Sequence, residues 1–238
     1  EYDIIHAHFL FTDGAIALKL YKEFNIPYVV AIRNTDINIY FKYFFHLRNL
    51  AFEILSNAKK VILISPSYQK KLLEYFPQNT HILLNKQITV IPNGIDRFWF
   101  ENQKSKAHKT DKRNLHFLFI GEITLNKNLE QTVTLLSTLM DTYNVKFTII
   151  GKKLDGFNQL SSFMEKYSWI SYLDETKDKN VIKSYFKECD IFVMLSKYET
   201  FGLVYIESLS QGTPVIYTKG QGIDGYFPDG SVGYSYDI

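Results

Sequence analysis

Two glutamates stand eight positions apart in Lys197-Tyr198-Glu199-Thr200-Phe201-Gly202-Leu203-Val204-Tyr205-Ile206-Glu207. The apolar run Ile191 to Leu195 just before them reads as a strand that delivers Glu199 to the carboxyl edge of a sheet. Phe201-Gly202-Leu203 then opens a helix with Glu207 two turns inside it. A pair of carboxylates invites glycoside hydrolysis. Eight residues of ideal helix, however, separate two groups by roughly 12 Å, beyond the approximately 5 to 9.5 Å that hydrolase pairs use. Holding two different hydroxyl-bearing parts of one extended ligand suits that separation better. Taken alone, Glu207 reads as an exposed helical acid.

A candidate anion site lies upstream. The strand Leu115 to Ile120 ends at Gly121, and a short loop leads through Asn126-Lys127-Asn128 into a helix. Backbone N–H groups at a helix start, together with the Lys127 ammonium, make a compact phosphate site. On spacing alone a solvated lysine is the ordinary alternative. The Gly-x4-Gly-Lys-Ser/Thr pattern of nucleoside triphosphatases is absent. Gly220-x-Gly222-x-x-Gly225 matches the bare dinucleotide-binding pattern but is rejected. Phe227-Pro228-Asp229-Gly230 reads as a turn where a helix is required, and no acid follows at the necessary distance. A loop or an ordinary turn is expected there.

In the first half, His6 and His8 alternate on a strand and face one side, which is half of a metal site. No third ligand is evident, so no metal is expected. Arg33-Asn34-Thr35-Asp36 follows the next strand, where its charged groups reach the edge of the sheet, although Asp36 also suits a helix cap.

The elements that position these residues alternate. Strands read at 3–9, 27–32, 60–64 and 88–91, with helices at 13–24, 39–57 and 67–76, the last capped by Ser67. After a polar, lysine-rich stretch at 101–114, strands read at 115–120, 145–150, 169–173, 191–195 and 214–217. Helices fill the gaps at 129–143, 157–167, 180–188 and 203–211, the last stopped by Gly212. This is an α/β chain of two Rossmann-like domains, 1–110 (with the linker) and 111–238, whose parallel sheets face each other across a cleft.

The 238 residues are 46% hydrophobic, enough for two cores, and no 20-to-50-residue repeat is visible. Cys189 is the single cysteine, which excludes an internal disulfide. Nothing resembles a secretory leader, and no apolar run approaches the roughly 18 to 20 residues that span a bilayer, so a cytoplasmic location is expected. Residues 1–110 carry 14 Lys/Arg against 9 Asp/Glu, whereas 111–238 carry 13 against 16. The basic first half suits an anionic substrate or peripheral contact with an inner membrane surface, or is a solvated face. No nucleic-acid partner is expected. Glu1 runs straight into a strand and the chain ends abruptly at Ile238, so truncation at both ends is expected.

Together these segments resemble family 4 of the retaining glycosyltransferases, of the GT-B architecture, and most closely the bacterial members that build surface polysaccharides. The likeness covers nearly the whole chain. It rests on the Glu-x7-Glu motif from Glu199 to Glu207, on Ile91-Pro92-Asn93-Gly94-Ile95-Asp96 at the domain junction, and on the loop from Gly121 to Lys127. The resemblance implies a nucleoside-diphosphate-sugar donor and a saccharide or lipid-linked acceptor, with no cofactor and no required metal. It also implies that Lys127 grips the diphosphate, that Glu199 with the Phe201-Gly202-Leu203 backbone holds the transferred sugar, and that Glu207 binds the ribose. His8, Arg33, Asp36 and Asn93 become candidates on the acceptor side or in the cleft.

Two positions depart from the family pattern. Arg33 to Asp36 stands where many members carry His-Gly-x-Asp, and Glu122 stands where most place an arginine against the donor phosphates. An acid cannot do that work, so either another cation takes it over, with Arg33 as a candidate across the cleft, or the donor is bound with less charge compensation. A nucleotide-sugar epimerase on the same architecture and a non-catalytic sugar-nucleotide-binding subunit are the rival readings.

Overall fold

The computed structural model describes residues 2–103 and 113–238, which fall into two compact units: 2–93 with 199–201, and 94–103 and 113–198 with 202–238. The boundary expected at residue 110 and most of the polar stretch 101–114 lie outside the described residues.

The first unit is a parallel four-stranded sheet, in the order β1 (Ile5–Ala7), β2 (Tyr28–Ala31), β3 (Lys60–Leu63) and β4 (Ile88–Val90). Its helices are α1 (Asp13–Phe24), α2 (Phe41–Tyr43), α3 (Arg48–Asn57), α4 (Pro66–Glu74) and α5 (His81–Gln87). Val30, Val61 and Leu63 are fully buried with Leu18, Ile54, Leu55 and Leu72 from the helices, giving one core. α1 stops at Asn25, which takes a left-handed conformation and donates its N–H to the Tyr21 carbonyl. Ser67 is not the cap of α4. Ser65 holds the cap position, and Pro66 supplies a preset φ at the first helical residue.

The single helix expected over 39–57 is broken. A π-helical turn, Asp36–Tyr40, precedes α2, and a 3-10 turn, Phe45–Leu47, separates α2 from α3. The reason is the fully buried Phe41, which stacks on Tyr75 at 4.9 Å and meets Phe11 and Phe76 edge-on at 5.2 and 5.6 Å. Placing that ring inward from an aromatic run demands a local change of helical pitch.

The second unit begins with α6 (Arg97–Glu101), followed by β5 (Asn114–Ile120), α7 (Leu129–Ser137), β6 (Asn144–Ile150) and α8 (Phe157–Lys166). The chain continues through β7 (Ile170–Leu173), α9 (Lys179–Glu188), β8 (Ile191–Met194), α10 (Leu203–Ser210), β9 (Val215–Thr218) and β10 (Gly233–Tyr236). All six strands are parallel, in the order β10-β9-β8-β5-β6-β7. Order reverses between β5 and β8, where open α/β sheets place their ligands at the carboxyl ends. The glycine-rich segment 220–225 leads into turns and then β10, with no helix after it.

Anchoring of α6 explains why the division falls at Asn93–Gly94. Trp99 is 1% exposed and meets Phe186 of α9 at 5.8 Å. Asp96 caps α6 by accepting from the Phe98 N–H at 2.8 Å and pairs with Lys179 at 2.6 Å. Lys183 donates to Asn102 at 2.9 Å and lies over the Phe98 ring. Removing a buried indole costs about 3 to 5 kcal/mol. Trp99→Ala is therefore expected to lower the denaturant midpoint by that equivalent, and a loss under about 1 kcal/mol would show that α6 is not held by this contact.

Candidate functional site

At the carboxyl edge of the second sheet, β5 and β6 close on each other through two glycines. A Cβ on Gly151 would sit 1.7 Å from the Gly121 carbonyl oxygen, so no other residue fits there. Beyond them opens a cavity of about 210 Å³ lined by Ile120, Gly121, Glu122, Ile150, Gly151, Lys152, Glu175 and Thr176. Lys127 belongs to a 3-10 turn, Leu125–Lys127, and donates its backbone N–H to Thr124. Its side chain lies back along the strand end, with Cε 3.9 Å from where a Gly121 Cβ would stand. Asn128 takes a left-handed conformation before α7 starts at Leu129, so Lys127 precedes the helix rather than opening it.

The two motif glutamates are built differently. β8 ends at Met194, and the next turn is tied down by hydrogen bonds from Thr218 Oγ1 to the Ser196 carbonyl at 2.9 Å and from Tyr205 Oη to the Met194 carbonyl at 2.6 Å. Glu199 is half-buried, and its Oε1 accepts from the Thr200 N–H at 3.1 Å. Residues 199–201 group with the first unit, where Tyr68 is pushed up to about 12 by burial, against hydrogen bonds from Asn38 and Thr200. Phe201 is buried, and Gly202 caps α10 with φ 74°, a left-handed geometry that favours glycine. Because α10 begins only at Leu203, Glu207 lies little more than one turn inside it. The helical rise assumed from Glu199 therefore does not apply.

Glu207 is half-buried on α10 within the second unit. Burial raises its pKa above the usual carboxylate value, opposed by the nearby Trp99 indole N–H and the Lys179 charge. That indole N–H is buried and makes no hydrogen bond of normal length among the described residues. The carboxylate is thus neighboured by Trp99, Lys179 and Asp96.

In the first unit, Asp36 is 1% exposed, and its Oδ2 accepts from the N–H groups of Arg33 at 2.9 Å and Leu10 at 3.3 Å. This carboxylate ties the loop after β1 to the loop after β2, and it closes the start of the helical run that begins at Asn34. Burial raises its pKa despite those bonds. Arg33 Nε donates to the His8 carbonyl at 3.2 Å, and the His8 N–H donates to Asp13 at 3.1 Å. The rings of His6 and His8 stand 4.2 Å apart, and burial, then His8 and Arg33, hold the His6 pKa down. No group of three His, Cys, Asp or Glu side chains suited to a metal occurs among the described residues. Asn93 is exposed at the division between units.

Sequence reasoning named Gly121 and Glu122 in the cavity but missed Gly151, Lys152, Glu175 and Thr176. The signal was available, since adjacent strands of a parallel sheet end at one edge and Gly151 directly follows β6. A larger hollow of about 440 Å³ lies where β8, β9 and β10 begin, lined by Ile191, Pro214, Val215 and Gly233 among others. It opens at the wrong end of the sheet for a ligand of this architecture.

Parallel α/β units with a glycine-floored cavity beyond the carboxyl ends of β5 and β6, one strand from the order reversal, define a protein of the doubly wound α/β class. The profile for glycosyl transferases group 1 matches residues 100–238, and that for glycosyltransferase family 4 matches residues 1–97. The chain belongs to this family of glycosyltransferases. It is 24% identical over 240 residues to an uncharacterized glycosyltransferase of Methanocaldococcus jannaschii, covering 94% of this chain and 59% of that one. It is also 24% identical over 256 residues to the alpha-monoglucosyldiacylglycerol synthase of Acholeplasma laidlawii, covering 99% and 63%. The chain thus spans about three fifths of the length of these curated relatives. Among solved structures, Anabaena HepE in complex with UDP superposes with a TM-score of 0.72 at 18% identity, covering 99% of this chain and 65% of that one. The apo lipopolysaccharide outer core galactosyltransferase WaaB gives 0.71 at 15% identity, covering 99% and 62%. These likenesses place the fold as GT-B.

The raised pKa of Glu207 has a definite sign in stability. A folded state that holds a proton more tightly than the unfolded chain gains stability below the unfolded pKa, and loses it as pH rises through the folded value. Relative to Glu207→Gln, the wild type is therefore expected to become more stable as pH falls from neutral, levelling off below the ordinary value of 4.5. Chemical denaturation across that range checks this, and a relative stability that rises with pH would contradict the burial of this carboxylate.

Proposed function

We propose that this chain forms the donor-binding part and adjoining unit of a retaining glycosyltransferase, which moves a hexose-like sugar from a nucleoside diphosphate to a saccharide or lipid-linked acceptor. The observation that carries the reading is the cavity at the carboxyl ends of β5 and β6, with Lys127 laid back over Gly121 beside it. A nucleotide needs a cleft with a few fixed polar groups and a cation for its phosphates, and this edge offers both. The HepE structures in complex with UDP, and with UDP and glucose, share this fold and support the assignment.

In this reading Lys127 holds the diphosphate, Glu207 the ribose hydroxyls, and Glu199 with the Phe201-Gly202-Leu203 backbone the departing sugar. Leaving-group charge is stabilised by Lys127 and the helix starts, without a required metal. Lys152, in the same cavity wall as Glu122, supplies the cation that an acid at 122 cannot. Arg33 is less suited, since its Nε is engaged by the His8 carbonyl. No residue stands out as a covalent nucleophile, so departure and attack on one face of the sugar is the favoured route.

The reading includes peripheral contact with an anionic membrane surface, supported by the basic first half and by the exposed Ile39, Tyr43, Phe44 and Phe45. Among the described residues no helix is long and apolar enough to cross a membrane.

Titration of UDP, with GDP and ADP in parallel, separates these roles, because a free diphosphate carries phosphates and ribose but no sugar. Lys127→Ala and Glu207→Gln are each expected to weaken binding, the former by the about 1.5 to 3 kcal/mol of a charge-assisted contact. Glu199→Gln is expected to leave binding nearly intact and to lower kcat by about tenfold for each 1.4 kcal/mol of transition-state stabilisation lost. The reverse order, with Glu199 essential for the diphosphate and Lys127 and Glu207 irrelevant, would overturn the assignments.

A further inference from the structure

Asn126 joins two loops that lie 72 residues apart in the chain. Its backbone carbonyl accepts from the Lys197 N–H at 2.8 Å. Its side-chain Oδ1 accepts from the Tyr198 N–H at 3.1 Å, while Nδ2 donates to the Tyr198 carbonyl at 3.0 Å. The amide side chain thus pairs with both polar groups of one residue, as a neighbouring strand would. A side-chain amide carries a neutral donor and acceptor on one carbon, which lets Asn126 meet both polar groups of Tyr198.

Placement gives this clasp its meaning. Lys127 follows Asn126 directly, and Glu199 follows Tyr198 directly. The clasp is solvent-exposed, where a hydrogen bond adds little to global stability because water competes for both groups. What it does fix is register. The turn on the Lys127 side is itself held by the bond from Leu125 N–H to Asp155 at 3.2 Å and by the Lys127 N–H on Thr124. The Tyr198 peptide is therefore pinned to a turn anchored elsewhere.

Resting on the donor-site reading above, we infer that Asn126 is a positioning residue for sugar transfer: it holds the peptide that carries Glu199 in fixed register with the turn that carries Lys127. Loss of the side-chain pair leaves the diphosphate contact of Lys127 and the Lys197 backbone bond in place but loosens the backbone that aims Glu199. Misplaced orientation at the reacting centre is felt in turnover, not in binding of the unchanged part of the donor.

The test compares wild type, Asn126→Ala and Asn126→Gln in the full-length protein, reading amide exchange at Tyr198, UDP affinity, kcat and KM. Asn126→Ala is expected to speed Tyr198 exchange and lower kcat by about tenfold or more, with the UDP Kd within about threefold of wild type. Asn126→Gln, which keeps the amide pair, is expected to recover most of the turnover. Unchanged kcat in a folded Asn126→Ala protein that transfers sugar would overturn the inference alone. So would losses of kcat, UDP affinity and melting temperature that move together, since that pattern marks a purely structural role. If UDP, GDP and ADP all fail to bind wild type, the donor-site reading fails and the inference with it, whatever the exchange at Tyr198.

Discussion

The carbonyl of Gly121 and the α-carbon of Gly151 meet so closely that a single methyl group between them would overlap the oxygen. That contact sets how β5 and β6 end. The Gly121 N–H donates to Ile150, the Gly151 N–H donates to Leu173, and the Tyr172 hydroxyl donates to the Gly151 carbonyl at 2.8 Å. Three strand ends are thereby locked level, and the space past them is the cavity that the proposed donor would enter. Lys127 lies beside this strand end, its Cε 3.9 Å from where a Gly121 Cβ would stand.

The rest of the second unit can be read as support for this edge. β8 arrives next to β5, and Gly202 turns the chain into α10 with a φ that favours glycine. The helix then carries Glu207 to Trp99, whose indole packs edge-on against Phe186, with the ion pair of Asp96 and Lys179 nearby. In the proposed function, a half-buried carboxylate beside a packed, buried indole N–H and an exposed lysine is a suitable acceptor for ribose hydroxyls.

Much of this was legible in the sequence because parallel strands buried on both faces read as continuous apolar runs. Leu115 to Ile120 and Val145 to Ile150 fall within one residue of β5 and β6. Fold class and strand succession follow from such runs. The failures have physical causes. The run 39–57 has helical periodicity throughout, but burial of Phe41 among three aromatic rings overrides it. α6 is too short to show a period, and its anchor is one tryptophan contacting a helix over 80 residues away. Asp36 has the composition of an exposed site acid, and its burial depends on Leu10, a partner that spacing cannot reveal. The need for glycine at 151 is equally tertiary, because it arises from the neighbouring strand.

The central claim is that a nucleoside diphosphate binds at the carboxyl edge of the second sheet. Residue-resolved hydrogen exchange with and without saturating UDP, or whichever of GDP and ADP binds instead, tests it most directly. The account expects new protection at 121–128, 151–152 and 202–207, with the hollow at 212–216 and 230–234 unchanged. Protection centred on that hollow, or confined to residues 2–93, would contradict it.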